Sequence, residues 1–506
     1  MLKVAVRTDA SPIIGTGHFM RCLALLEELN NQLSQLDIKL TVSFISVETT
    51  TFCEAELLEK GFNLVKLPSN SQFEMEQDSK STEKTLELLG HQHLLIVDSY
   101  AIQDPWYSQK IKAYCDKILV IDDLANRTHS CDFLLDQTLD TDAKRYNKLV
   151  PKDCNLLTGK LYMLLRNDFL KWREKALLKR KNTTVIKELF INMGGSDTEH
   201  LNRLVIEAIY QVNQILKCPI NAILVIPSNS SSLNFFEAFS EDNPWLKVIT
   251  DAKNMSQLMY QADIAIGASG SSAWERCCLG LPTLAVELAN NQALVLDKLS
   301  SKGAIINLGK SSLLSVENIK FAISKLIGSQ TLYQSMVKNA AACCDGRGTK
   351  RALKVLNLSS VYLKVASEQD KQVLFQWQSQ KVVRKYSRTN HKISFEEHCQ
   401  WYEQVLKDPS RHLYIITERW ADKSEVPVGM LRLDKQEQSY EVSILIDPNQ
   451  HGRGLAEQTL YSIPDKFKSL KIKATVHPEN QASQTLFSKA GFKRVEDDLF
   501  ILEPIT

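Results

Sequence analysis

Short apolar runs, each followed by a helix-length segment of mixed polarity, recur from the start of the chain. Residues 4–7, 40–45, 94–98 and 118–122 are such runs in the first third. Strands that alternate with helices predict a parallel sheet covered on both faces. A polar, Lys-rich stretch at 171–187 reads as a separator from a second series, with runs at 188–193, 222–226, 264–267 and 283–286. Two doubly wound units in succession predict two Rossmann-like domains facing a cleft, with ligands at the carboxyl ends of strands. The pattern changes near residues 343–360. From Val361 the runs lengthen (413–417, 427–434, 440–447, 471–476) and predict a mainly antiparallel α+β domain. The expected boundaries are 1–170, 185–350 and 360–506.

Bulk composition narrows this picture only a little. The 506 residues are 44% hydrophobic and 24% charged, an ordinary globular balance. Sixty-one Lys and Arg face 59 Asp and Glu, so the net charge of +2 gives no reason to expect a nucleic-acid or membrane-surface partner. An anionic ligand must therefore be held by local groups. Eleven cysteines include the pairs Cys277-Cys278 and Cys343-Cys344 but no C-x-x-C, which fits reduced thiols in a cytoplasm. Met1 to Val6 run straight into a strand pattern without a basic n-region, so no signal peptide is expected. No run approaches the length of a membrane span.

The first loop carries candidate chemistry. Arg7, Asp9, Ser11, Gly15, Gly17, His18 and Arg21 follow the first strand and open a helix. Glycines allow close backbone approach, and exposed amides at a helix start favour an anionic or oxygen-rich ligand. His18 in the first turn has the chemistry of a general base for water. The spacing alone fits better a Gly-rich turn with His18 as a cap or packing residue. His18 and Cys22 share a helical face, but two ligands do not make a zinc site.

The second series repeats the device. Gly194-Gly195-Ser196-Asp197 ends a strand and could form a phosphate nest, as could residues 267–272. There Ser271 and Ser272 are expected to cap the next helix. Glu275, one turn in, suits either ribose hydroxyls or the helix dipole. Cys277, Cys278 and Trp274 read as packing residues.

Taken in order, further stretches make the pattern specific. They are Asp98-Ser99-Tyr100, Ile121-Asp122-Asp123-Leu124-Ala125-Asn126-Arg127, Cys131 to Gln137, Gly270 to Pro282, and Asn290-Asn291-Gln292. Over roughly residues 1–350 the chain resembles the UDP-2,4-diacetamido-2,4,6-trideoxy-β-L-altropyranose hydrolases, relatives of the metal-independent UDP-sugar glycosyltransferases. The resemblance implies a glycosyltransferase-B-like pair of domains and hydrolysis at C1, with water activated by His18, UDP departing and no metal. It implies substrate contacts by Arg7, Asp9, Ser11, Gly15, Gly17, Arg21, Tyr100, Gly195, Ser196, Ser271, Ser272 and Glu275, with Asn291 and Gln292 on the sugar side. Two departures are Ser99, where that family more often has His, and Pro227-Ser228, where Gly is expected.

In the last third, residues 444–456 join a strand, a Gly-rich turn and a helix start, and Asn480 to Phe492 follow at about thirty residues. Together they resemble the acetyl-CoA core of the GCN5-related N-acetyltransferases, over roughly 360–506. That resemblance places Gly452, Arg453, Gly454 and Ala456 at the CoA pyrophosphate and Asn480 on the CoA-side helix. Splayed strands are expected to receive the pantetheine arm. His451 stands where Arg or Gln is usual. Phe487 stands where many members have the Tyr that protonates the leaving thiolate. Glu441 is a candidate base for acetyl transfer, or else a solvated strand carboxylate.

The combined expectation is a bifunctional enzyme of pseudaminic-type nonulosonic acid biosynthesis. It would acetylate the C4 amine of a UDP-amino sugar with acetyl-CoA and hydrolyse the product. The alternative is a UDP-sugar glycosyltransferase bearing a non-catalytic CoA-binding or scaffolding module.

Overall fold

The computed structural model describes residues 1–11, 14–69, 73–194, 198–216, 218–356, 358–387 and 391–504, and among these residues the strands form three sheets. The first contains β1 (Leu2–Thr8), β2 (Leu40–Ser46), β3 (Asn63–Lys66), β4 (Leu94–Asp98), β5 (Ile118–Ile121), β6 (Phe133–Asp136) and β7 (Asn155–Thr158), in the order 3-2-1-4-5-6-7. The second contains β8 (Glu188–Asn192), β9 (Asn221–Ile226), β10 (Leu246–Thr250), β11 (Ile264–Ala268), β12 (Thr283–Glu287) and β13 (Ile305–Lys310), in the order 10-9-8-11-12-13. Every pairing in both sheets is parallel. β4, β5 and β11 are buried throughout, as helices on both faces require. Strand order reverses between β1 and β4 and again between β8 and β11. Loops at these two switch points are where such sheets bind ligands.

The Lys-rich separator is corrected by the structure. Asn167–Asn182 is one helix, and its cations cap other helices. Arg180, fully buried, donates to the carbonyls of Met259, Ala262 and Leu279. Arg173 donates to those of Cys278, Ala341 and Cys344. These carbonyls end the helices Met255–Gln261, Ser272–Cys278 and Gln330–Cys343, where cations satisfy both hydrogen bonding and the helix dipole. The chain later returns to the first half through the helix Gly348–Leu356, which packs on Gly17–Ser34. A Cβ on Gly348 would lie 2.2 Å from the Met163 carbonyl oxygen, so only glycine admits this approach. Residues 1–34 and 39–356 form one compact unit.

The other unit, residues 35–38 and 357–506, holds the third sheet. Its strands are β14 (Ser359–Val365), β15 (Arg411–Trp420), β16 (Glu425–Gln436), β17 (Ser439–Ile446), β18 (Lys471–Thr475), β19 (Lys493–Arg494) and β20 (Leu499–Leu502), in the order 14-15-16-17-18-20-19. All neighbours are antiparallel except β17 and β18. That parallel pair is joined only at Ser439–Glu441 with Lys471–Lys473, and beyond it the two strands separate. Among the described residues, no helix is long and apolar enough to cross a membrane.

Candidate active sites

His18 is buried in the first turn of Gly17–Ser34, beside the switch point between β1 and β4. Its Nδ1 lies 2.5 Å from Oδ1 of Asp98, the last residue of β4. Arg21, one helical turn on, grips the same carboxylate through Nε and Nη2, both at 2.6 Å. Arg21 Nη1 reaches Asp123 at 3.1 Å, and the Tyr100 hydroxyl donates to Asp123 at 2.7 Å. The Tyr100 ring stands edge-on to the imidazole, with centroids 4.5 Å apart.

The electrostatics follow from this packing. Burial alone would raise the Asp98 carboxyl, but the charges and hydrogen bonds of Arg21 and His18 hold it well below the usual carboxylate range. Asp98 is therefore a permanent acceptor. In the neutral ring it favours the tautomer with the proton on Nδ1, which leaves Nε2 as the acceptor. Arg21, Asp98 and Asp123 carry one net negative charge, so a proton gained by His18 brings the cluster to neutrality. Burial and Asp123 push the Tyr100 phenol upward, which keeps it a donor. Asp98 and Asp123 were not assigned from sequence. The available signal was a carboxylate closing a wholly apolar strand run.

Other first-loop residues divide into two groups. Ser11 and Gly15 form an isolated bridge, with the glycine at φ +79°. Gly17 faces the second half, where a Cβ would lie 3.1 Å from Ser271 Oγ. Arg7 is corrected as a contact residue. It is fully buried in β1 and committed to Asp78 and Asp9. Asp9 in turn accepts from the Val47 amide at 2.7 Å. Arg21 is likewise occupied, committed to Asp98 and Asp123 beside His18.

Across the cleft, Gly195 and Ser196 lie outside the described residues. Ser271 is exposed, and Gly270 approaches Gln292, where a Cβ would be 3.6 Å from Nε2. The expected capping by Ser271 and Ser272 is corrected. Ser271 already has helical backbone angles and makes no cap bond, while Ser272 Oγ accepts from Arg276 at 3.2 Å. Glu275 is mostly buried, 3.8 Å from Arg166, and burial raises its carboxyl. Asn291 is exposed on the short helix Asn290–Gln292, and Gln292 accepts from the Leu288 amide. Cys277, Cys278 and Trp274 are core residues.

In the other unit the turn after β17 places Gly452 at φ +84° and Gly454 at φ +80°, conformations that suit glycine. Ala456 sits in the first turn of Leu455–Tyr461. Asn480 caps Gln481–Lys489 by accepting from the Ser483 amide at 3.1 Å. The Arg453 side chain is corrected as a pyrophosphate contact. It is held bidentately by the fully buried Glu418, at 2.5 and 2.9 Å, and lies over the Trp420 ring. His451 pairs with the Ile446 carbonyl at 3.1 Å. Phe487 is buried against Phe492 and Phe500. Glu441, at the last paired position before the strands part, accepts from Thr475 at 3.1 Å.

Comparison with known proteins places both units. The acetyltransferase (GNAT) domain family matches residues 361–493. An uncharacterized protein of Methanocaldococcus jannaschii is 23% identical over 98% of this chain and 97% of its own length. The spore coat polysaccharide biosynthesis protein SpsG of Bacillus subtilis is 26% identical over 70% of this chain and 98% of its own. The UDP-2,4-diacetamido-2,4,6-trideoxy-β-L-altropyranose hydrolase of Campylobacter jejuni is 25% identical over 60% of this chain and 97% of its own. Crystalline MurG of Acinetobacter baumannii shares the fold of the first unit, with a TM-score of 0.50 at 15% identity over 71% of this chain and 99% of that one. The chain thus joins a region of glycosyltransferase-B-like fold, homologous to that hydrolase, to a carboxyl-terminal GNAT acetyltransferase domain that implies acetyl-CoA as co-substrate.

Proposed function

We propose that the chain catalyses two consecutive steps of pseudaminic-type nonulosonic acid biosynthesis. In the first unit, His18 Nε2 takes a proton from water as the water attacks C1 of UDP-2,4-diacetamido-2,4,6-trideoxy-β-L-altropyranose. The C1–O bond breaks with inversion, and UDP leaves as an anion. The reading rests on one observation, the Asp98 carboxylate 2.5 Å from His18 Nδ1. Such an arrangement makes an imidazole a general base and stabilises the imidazolium it becomes. Tyr100, Glu275, Asn291 and Gln292 are proposed as sugar- and ribose-side contacts. Backbone amides of the loops after β8 and β11 are proposed to hold the diphosphate without a metal.

In the second unit, the turn at Gly452 and Gly454 is proposed to hold the CoA pyrophosphate, and the gap beyond Glu441 to take the pantetheine arm. The C4 amine of the preceding UDP-amino sugar attacks the thioester, and Glu441 receives its proton. Phe487 has no proton to give, so the thiolate is protonated by another group or by water.

Mass spectrometry of products from the UDP-4-amino sugar, with and without acetyl-CoA, tests both steps. Acetyl-CoA-dependent appearance of the acetylated UDP sugar, then of free sugar and UDP without any acceptor and in the presence of chelator, is the expected result. UDP release only when an acceptor is added would replace hydrolysis by glycosyl transfer.

A further inference from the structure

Beneath the loop after β11 lies a cation that the hydrolytic reading does not use. Arg276 is 1% exposed, and its guanidinium donates to the Ala268 carbonyl at 2.5 Å and to Ser272 Oγ at 3.2 Å. Its Nε has no partner, and among the described residues no carboxylate lies within ion-pair distance of it. Neighbouring Glu275 turns instead to Arg166. In the same loop, Ser269 Oγ is fully buried and also unpartnered. The sequence accommodates this arrangement at some cost. Gly267 lacks the Cβ that would stand 2.8 Å from Arg276 Nη1 and 2.5 Å from the Asn192 carbonyl oxygen.

An unpaired guanidinium taken out of water is expensive, and its cost falls when an anion comes within reach of it. Other buried arginines in this unit show the contrast. Arg7 and Arg21 have carboxylates, and Arg180, whose Nε is also without a partner, spans four carbonyls, three of them at the ends of other helices. Arg276 has one carbonyl and one hydroxyl, at the two ends of the loop at the β8–β11 switch point, where a sheet of this topology binds its ligand.

We propose that Arg276 is the positioning residue for the diphosphate: it braces the loop of residues 267–272 from below and supplies the positive charge that makes this site prefer a nucleoside diphosphate over a nucleoside. The inference rests on the proposed nucleotide site and adds the source of its charge selectivity. In a low-dielectric setting a charge under the loop acts on the anion through the intervening backbone. No cation need touch the phosphates. The same field would favour departure of UDP over its retention on the sugar, because negative charge grows on the leaving oxygen.

Calorimetric titration of the full chain with UDP and with uridine tests this. Arg276→Gln keeps a donor for the Ala268 carbonyl and removes the charge. It is expected to lose about tenfold or more in UDP affinity, one pKa-unit equivalent of interaction, with uridine affinity unchanged. Arg276→Lys keeps the charge and should hold the UDP-to-uridine ratio within about threefold of wild type. A merely structural role predicts that both ligands weaken together. An unchanged ratio in Arg276→Gln would overturn the proposal. So would an equal loss of ratio in Arg276→Lys, which also serves if the Gln variant does not fold. A wild-type chain that binds uridine and UDP equally well refutes the charge assignment alone. One that binds neither removes the nucleotide site itself.

Discussion

Arg21 and His18 share one carboxylate: Asp98 Oδ1 receives both the Arg21 Nη2 and the His18 Nδ1, at 2.6 and 2.5 Å. The fork from Arg21 fixes the plane of the carboxylate, and the carboxylate fixes the ring. Asp98→Asn keeps the shape but presents an amide, so the imidazole loses its preference for the tautomer with Nε2 free. UDP release is expected to fall by about a hundredfold or more, while substrate binding changes little. Steady-state kinetics separates the two, since KM should stay near wild type.

His18→Ala should abolish UDP release, by about two to four orders of magnitude, and leave acetyl transfer intact. Product analysis of the same preparation reads both activities. Loss of both together would point to misfolding instead of loss of a base.

Asp98 also makes a prediction about acid. Its carboxyl is held below the usual range in the folded chain, so folding favours the ionised form. The stabilisation is present above the unfolded aspartate range, near pH 4, and is lost as the pH falls through the lower folded value. Urea unfolding of the first unit between about pH 5 and pH 2 should therefore steepen in wild type and flatten in Asp98→Asn. Equal slopes would mean that the Arg21 and His18 contacts do not favour the carboxylate.

Glu418→Ala leaves Arg453 without its buried partner. The unfolding transition of the acetyltransferase unit should lose about 3–5 kcal/mol. Acetyl-CoA affinity should weaken because Arg453 belongs to the turn between Gly452 and Gly454, and UDP release should be unaffected. If acetyl-CoA binding survives while stability falls, the ion pair braces the fold without shaping the turn.

The legible parts of the chain were those written in apolar residues. β4 and β11, buried along their length, stand out as continuous runs, and the parallel sheets followed from their alternation with helices. The short β3 and β7 are largely partly exposed and mixed in polarity, so nothing marked them. The helix Asn167–Asn182 was mistaken for a separator because only Phe169, Ala176 and Arg180 are buried. It packs by cations on carbonyls, an interaction that hydrophobic periodicity does not register. The chemistry divides in the same way. His18 and the glycines announced themselves locally, whereas the partners of Asp98 lie 77 and 80 residues away. Arg453 looked available for an anion until the fold brought Glu418 to it from 35 residues upstream.

The two halves of the first unit are joined twice, because the chain that leaves the first half returns to it at its end. The chain crosses once before Asn167–Asn182 and returns at Gly348–Leu356, whose Thr349 hydroxyl donates to the Leu165 carbonyl at 2.8 Å. Both crossings meet at that bond. Any relative movement of the two halves is therefore expected to turn about this double connection. A truncation at residue 170 or 185 would sever this connection, so the compact unit within residues 1–356 is expected to fold only as a whole.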